Sequence, residues 1–170
     1  MNILRPFIVA VCLIMVGQSA MAQTQSYGTG HPFGLGIILG EPTGLSAKYW
    51  LSGSNALDFG LGWSNGGDRI SRFDGTYNGG GRVHFHMDYL WHSFSAIHST
   101  EQFPLYYGIG GRFNSGGGYS SSLAVRGVIG IAWLPRGTPI DVFLEIAPSL
   151  QLSPSSGFAL DAGLGVRYFF

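Results

Sequence analysis

Cysteine is almost absent from this 170-residue chain, with Cys12 its sole example, and a disulfide framework is therefore excluded. Lysine is equally scarce, Lys48 standing alone, and charged residues make up only 11% of the chain. An ordinary soluble domain carries about 25%. Such a surface is poorly solvated, so something other than water is expected to cover part of it. Nine basic and nine acidic residues leave a formal net charge of zero, which gives nucleic acid no basic surface to bind. Long apolar runs are also missing: beyond residue 22 no stretch reaches the length of about 18 residues that a membrane helix needs, and no segment is long enough to predict as a helix.

What is present begins with residues 1–22, MNILRPFIVAVCLIMVGQSAMA. Arg5 supplies a positive start, Phe7 to Val16 an apolar run, and Ala20-Met21-Ala22 a small-residue cleavage pattern before Gln23. This predicts a cleaved secretory signal peptide, because ten apolar residues fall well short of the roughly 20 that cross a bilayer. Cys12 lies inside the run and follows Val11, where lipoprotein signals place a small residue. The mature chain is expected to have no thiol chemistry. Residues 23–32 read as a short N-terminal segment and 33–170 as one domain.

That domain alternates. From Phe158 to Phe170 the even positions are Phe158, Leu160, Ala162, Leu164, Val166, Tyr168 and Phe170, while Asp161, Gly163, Gly165 and Arg167 fall between them. Period-two alternation of this length predicts a strand. The same separation recurs in Ile140 to Leu152, Leu123 to Leu134, Pro104 to Phe113, Val83 to Ser93 and Ala56 to Ser64. Phe33 to Gly40 and Gly44 to Leu51 bring the count of expected strands to eight. Turn-forming stretches connect them: EPT (41–43), SGSN (52–55), the long 64–82 segment, FSAIHSTEQF (94–103), NSGGGYSSS (114–122), PRGTP (135–139) and SPSSG (153–157). The expectation is an all-β, eight-stranded, antiparallel up-and-down transmembrane barrel.

A soluble barrel turns its apolar face inward, whereas a membrane barrel turns it to lipid and fills its narrow interior with small and polar groups. Here the non-apolar face is crowded with glycine, as at Gly34, Gly36, Gly60, Gly62, Gly108, Gly110, Gly130, Gly163 and Gly165. That suits a cramped lumen and not a surface facing water. Tyr49, Trp91, Trp133 and Tyr168 gather towards one set of strand ends and Trp63 towards the other, the girdle arrangement of outer-membrane barrels. With both termini in the periplasm, the 64–82 loop is extracellular.

The inward positions carry Lys48, Arg112, Arg126 and Arg167 against Asp58, Asp88, Asp141, Glu145 and Asp161, with His84, His86 and His92 beside them. Counting from the turns sets Lys48 opposite Asp58 and Asp141 opposite Arg167. Asp88, Arg112, Arg126 and Glu145 fall at similar depth on four successive strands. An ion-pair network across the lumen is expected, since an unpaired buried charge is costly while a hydrogen-bonded pair is tolerated. The stretch RVHFHMDYLWH (82–92) invites a metal reading, but His84, His86 and Asp88 need ligands from neighbouring strands and nearby arginines repel a cation, so no metal or other cofactor is expected. His92-Ser93 and His98-Ser99 invite comparison with lipid A deacylases and acyltransferases. Alternation sends His92 and Ser93 to opposite faces, and general-base chemistry needs the two within hydrogen-bond reach. In the 64–82 loop, Asp68, Arg69, Arg72 and Asp74 lack calcium-loop spacing and read as a surface loop able to make contacts.

FGLGIILGEPTGLSAKYWLS, NALDFGLGW, HMDYLWHSF, PLYYGIGGRF, PIDVFLEIAPSLQL and GFALDAGLGVRYFF together resemble the small outer-membrane β-barrels of the Borrelia type, with OmpX and the OmpA barrel as architectural relatives. The resemblance covers nearly all of the mature chain. It implies an eight-stranded barrel in the outer membrane of a Gram-negative-type cell and brings no catalytic residue. The ending also resembles the signal read by the barrel assembly machinery, through Leu164, Val166, Tyr168 and Phe170. The expected role is structural or in surface interaction, with outer-membrane lipid and an extracellular ligand as partners and without enzymatic activity. A lipid A-modifying enzyme and a narrow solute pore are the alternatives.

Overall fold

The computed structural model describes residues 31–64, 70, 71, 75, 76, 82–116 and 119–170. The expected signal peptide, most of the segment that follows it, and Asp68, Arg69, Arg72 and Asp74 lie outside them. Among the described residues there is no helix, and ten strands run in chain order: β1 Phe33–Gly40, β2 Gly44–Trp50, β3 Asn55–Ser64, β4 Ile70–Ser71, β5 Gly75–Thr76, β6 Arg82–Ser93, β7 Leu105–Gly116, β8 Tyr119–Trp133, β9 Ile140–Ser153 and β10 Gly157–Phe169. Eight of them close a barrel in the order β1-β10-β9-β8-β7-β6-β3-β2, and β4 with β5 forms a separate two-stranded ladder.

Every neighbouring barrel pair is antiparallel, and the seam between β1 and β10 runs from Gly34↔Phe169 to Gly40↔Gly163. Closure matters because an open sheet leaves a row of unpaired N–H and C=O groups at each edge. The side-chain period of two then decides which residues share a face. Leu35, Ile109, Ile129, Leu144 and Leu164 point outward and are 43% to 60% exposed, while the alternate positions beside them are buried or half-buried and the charged lumen residues are buried. The barrel is thus inside out relative to a soluble one.

Connections 41–43, 65–81, 117–118 and 154–156 share one end, here the loop end. The start of β1 and the end of β10 share the other, here the floor, with connections 51–54, 94–104 and 134–139. On the outer surface Tyr49, Trp91, Trp133 and Tyr168 lie near the floor, opposite Leu57, Asn55, Val142 and Ile140, whereas Trp63 lies near the loop end opposite Val83. Trp91 stacks on Tyr107 at a ring separation of 5.6 Å and meets Tyr89 in a tilted contact at 4.7 Å.

The EPT turn is tight because the Thr43 hydroxyl accepts from the Gly40 N–H at 3.1 Å and donates to the Gly40 carbonyl at 2.9 Å. Gly40 has φ of 129°, a conformation that glycine adopts without steric cost. One expectation needs correction. NSGGGYSSS is largely ladder and not connection, since β7 continues to Gly116 and β8 starts at Tyr119, with Asn114 paired to Ser122. The backbone ladder persists there although the side chains have become polar.

Candidate functional site: the charged lumen

The strands deliver two layers of charge to the interior. In the layer nearer the floor, Lys48 is in register with Asp58 and Arg167 with Asp141. The ion pairs nevertheless run partly across the lumen. Lys48 Nζ lies 2.9 Å from Asp141 Oδ2, which also takes Arg167 Nη1 at 3.2 Å, while Arg167 Nη2 pairs with Asp58. Arg167 Nε donates to the Ser46 hydroxyl at 2.9 Å, and its guanidinium lies 3.7 Å from the centre of the Phe143 ring. These long side chains can cross because β1, between β2 and β10, presents Gly34 and Gly36 at that depth.

Arg126 is the hub of the second layer. Its Nε lies 3.1 Å from Asp88 Oδ2, Nη2 3.3 Å from Glu145 Oε1 and Nη1 3.8 Å from Asp161 Oδ2. The Tyr106 hydroxyl donates to the other Glu145 oxygen at 3.1 Å. Arg112 does not join Asp88 or Glu145; its Nη1 spans both oxygens of Asp161 on β10, at 3.0 and 2.9 Å. Neighbouring depth on successive strands did not determine this partner, because arginine is long enough to select a carboxylate across the barrel.

His86 stands between the layers. Its Nε2 is 3.9 Å from Asp58 Oδ2 and 3.9 Å from Asp88 Oδ2, and its Nδ1 is 2.9 Å from His84 Nε2. The four cations Lys48, Arg112, Arg126 and Arg167 and the five anions Asp58, Asp88, Asp141, Glu145 and Asp161 are all buried. Taking one member from such a pair costs about 3–5 kcal/mol, because its partner is left buried without compensation.

The floor is closed by rings. Trp50, Tyr106 and Phe94 surround His92 at centroid separations of 4.5, 5.2 and 6.3 Å, and Lys48 Nζ sits 5.3 and 5.2 Å from the Trp50 and Tyr106 rings. His92 Nε2 is 3.4 Å from Lys48 Nζ, and Nδ1 is 3.2 Å from the Ser54 carbonyl. Arg126, Arg167, Tyr106, Lys48 and Phe143 are among the largest fully buried side chains, and their atoms occupy the middle of the barrel.

His92 is buried while Ser93 is exposed, and His98 and Ser99 are exposed in the floor connection. These last two help line an open cleft of about 690 Å³ that also includes Ser93, Glu101 and Arg136. Among the described residues neither serine hydroxyl is hydrogen-bonded to a histidine. Leu164, Val166, Tyr168 and Phe170 all lie on the outer surface. Phe170 N–H bonds the Phe33 carbonyl at 2.9 Å.

Sequence reasoning left Ser46, Trp50, Tyr106 and Phe143 outside the network. Parity alone could have brought them in, since each shares its strand face with a charged lumen residue. The result is a closed eight-stranded antiparallel barrel with an apolar exterior and a charged, filled interior. No protein-family model, curated protein or solved structure matches the chain.

Proposed function

We propose that this chain is an integral outer-membrane β-barrel of a Gram-negative-type bacterium, related to the small Borrelia-type barrels, with a structural or surface-contact role exercised through the loop end. The observation that carries the proposal is the inside-out distribution of side chains: large apolar residues cover the exterior while the ion pairs are sealed within. Water would disfavour this exterior, whereas hydrocarbon favours it and requires the closed hydrogen bonding of a barrel. In this reading residues 1–22 are removed on export. Leu164, Val166, Tyr168 and Phe170 contact the barrel assembly machinery, and the rings of Tyr49, Trp91, Trp133 and Tyr168 sit at the periplasmic interface. The 65–81 connection is then extracellular and offers the longest contact surface.

Expression of the full chain in a Gram-negative host tests the location. The expected result is an outer-membrane fraction in which a tag inserted into the 65–81 connection is accessible on intact cells. Recovery as a soluble periplasmic protein would overturn the proposal. The contact role is tested by whole-cell binding of candidate surface ligands with that connection present and deleted, the deletion being expected to abolish binding. The filled lumen supports the absence of steady conductance in planar bilayers and does not favour the pore alternative. Lipid A spectra from cells with and without the protein are expected to be identical.

A further inference from the structure

Asp58 and Asp88 are direct cross-strand partners on β3 and β6, and like charges in that position repel. His86, two residues from Asp88 on the same face, turns its ring over Gly60, where an added Cβ would come within 2.1 Å of the ring carbon Cε1. Glycine at 60 is what lets the imidazole reach between the carboxylates. One donor atom from each of Asp58, His86 and Asp88 lies within 4.8 Å of the others, and all three residues are buried. His86 Nε2, in a side chain only 1% exposed, has no hydrogen-bond partner, and neither has Asp88 Oδ1. Unsatisfied buried polar atoms are uncommon and costly.

We propose that Asp58, His86 and Asp88 bind one divalent transition cation of the zinc or manganese class. The 3.9 Å separations from His86 Nε2 to each carboxylate are too long for hydrogen bonds. They match the spacing of about 3–4 Å between ligands that share an ion through bonds of about 2 Å. His86 Nδ1 lies 2.9 Å from His84 Nε2; in the metal-bound form the proton of that contact sits on Nδ1, which leaves the His86 Nε2 lone pair for the cation between the two carboxylates, and the cation relieves their repulsion. A neighbour of this kind fixes the tautomer of a metal-binding histidine. Five buried carboxylates face four permanent cations, an excess of one negative charge that offsets half the charge of a divalent ion. Arg167 holds Asp58 through Oδ1, so Oδ2 stays turned towards His86. Arg126 Nε lies 3.1 Å from the same Asp88 oxygen, Oδ2, that faces His86 at 3.9 Å, so this oxygen is shared between the guanidinium and the ion. The nearby guanidiniums weaken cation binding and still orient its ligands. In the sequence His84, His86 and Asp88 invited a metal reading that was set aside; the barrel places His84 behind His86 and brings Asp58 from the next strand.

The untagged protein, purified in detergent and stripped with chelator, is dialysed against micromolar Zn²⁺ and its metal content measured. About one zinc per barrel is expected. His84→Ala is expected to weaken affinity about 10–100-fold, the range for loss of a supporting neighbour, and His86→Gln by at least as much, while the surface control His98→Gln is unchanged. X-ray absorption of the zinc-loaded wild type is expected to show one imidazole with oxygen ligands, which decides the matter even where His86→Gln fails to fold. Substoichiometric zinc, retention of zinc by a folded His86→Gln barrel, or two or more imidazoles in the spectrum would each overturn the proposal.

Discussion

Arg126 is the most informative position in the lumen. In Arg126→Ala, Asp88 loses its ion pair at 3.1 Å and Glu145 its pair at 3.3 Å, while Asp161 keeps Arg112. Glu145 also keeps the Tyr106 hydroxyl, but among the described residues Asp88 keeps only His86, at 3.9 Å. A single unit-charge pair about 4 Å apart at an effective dielectric near 20 is worth about 4 kcal/mol. The loss of a partner from a buried pair measures about 3–5 kcal/mol. The expected destabilisation is therefore about 3–5 kcal/mol, read from urea unfolding of the refolded barrel by tryptophan fluorescence and by heat-dependent gel mobility. Arg136→Ala, at an exposed side chain, is the control and is expected within about 0.5 kcal/mol of wild type. Combining Arg126→Ala with Glu145→Gln is expected to cost less than the sum of the two, with a coupling of about 1–3 kcal/mol. A loss below about 1 kcal/mol for Arg126→Ala, or strict additivity in the double variant, would refute the idea that these charges compensate one another inside the barrel.

Three further expectations concern the wall. Gly36→Ala places a Cβ 1.8 Å from the Val166 carbonyl oxygen, a backbone atom that cannot step aside, whereas at Gly111 the nearest atom is 3.8 Å away; melting should show a loss of about 1–3 kcal/mol for the first and a change within about 0.5 kcal/mol for the second. Ile146→Arg puts a charge on the outer surface beside the Glu145 layer, and unfolding from lipid vesicles should show a cost of about 2–4 kcal/mol if that surface meets the bilayer core; a near-zero effect would speak against the membrane assignment. Deleting Phe170 removes both an outward aromatic and the N–H bonded to the Phe33 carbonyl, and quantitative surface labelling should find less inserted barrel, with normal levels counting against an assembly role.

The face of each side chain was legible because alternation is a local property. His84, Asp88 and Arg126 could be placed inward from their immediate neighbours, and the register pairs Lys48↔Asp58 and Arg167↔Asp141 followed from the short turns. Strand ends were less legible on β7 and β8: hydrophobic alternation stops where side chains become polar, but the hydrogen-bonded ladder runs on through Asn114 and Ser122. Partner choice was not legible for Lys48, Arg112 and Arg167, whose carboxylates are on strands other than the adjacent register neighbour or are shared between two cations. Those contacts depend on how the sheet curls and on the reach of long side chains past Gly34 and Gly36. Neither quantity is written in a single strand.

The seam between β1 and β10 also bears on the time course of folding. β1 meets β2 after a three-residue turn, yet its other edge has no partner until the segment containing Phe169 is available, with almost the entire barrel sequence in between. Contacts so distant along the chain carry a large loop-closure entropy before any bond rewards it, which slows folding. Until that moment any partial sheet bears two adhesive borders, each able to zip onto another unfinished copy. The last ladder to form is therefore the one that ends the chain's susceptibility to aggregation, and the barrel becomes safe all at once rather than strand by strand.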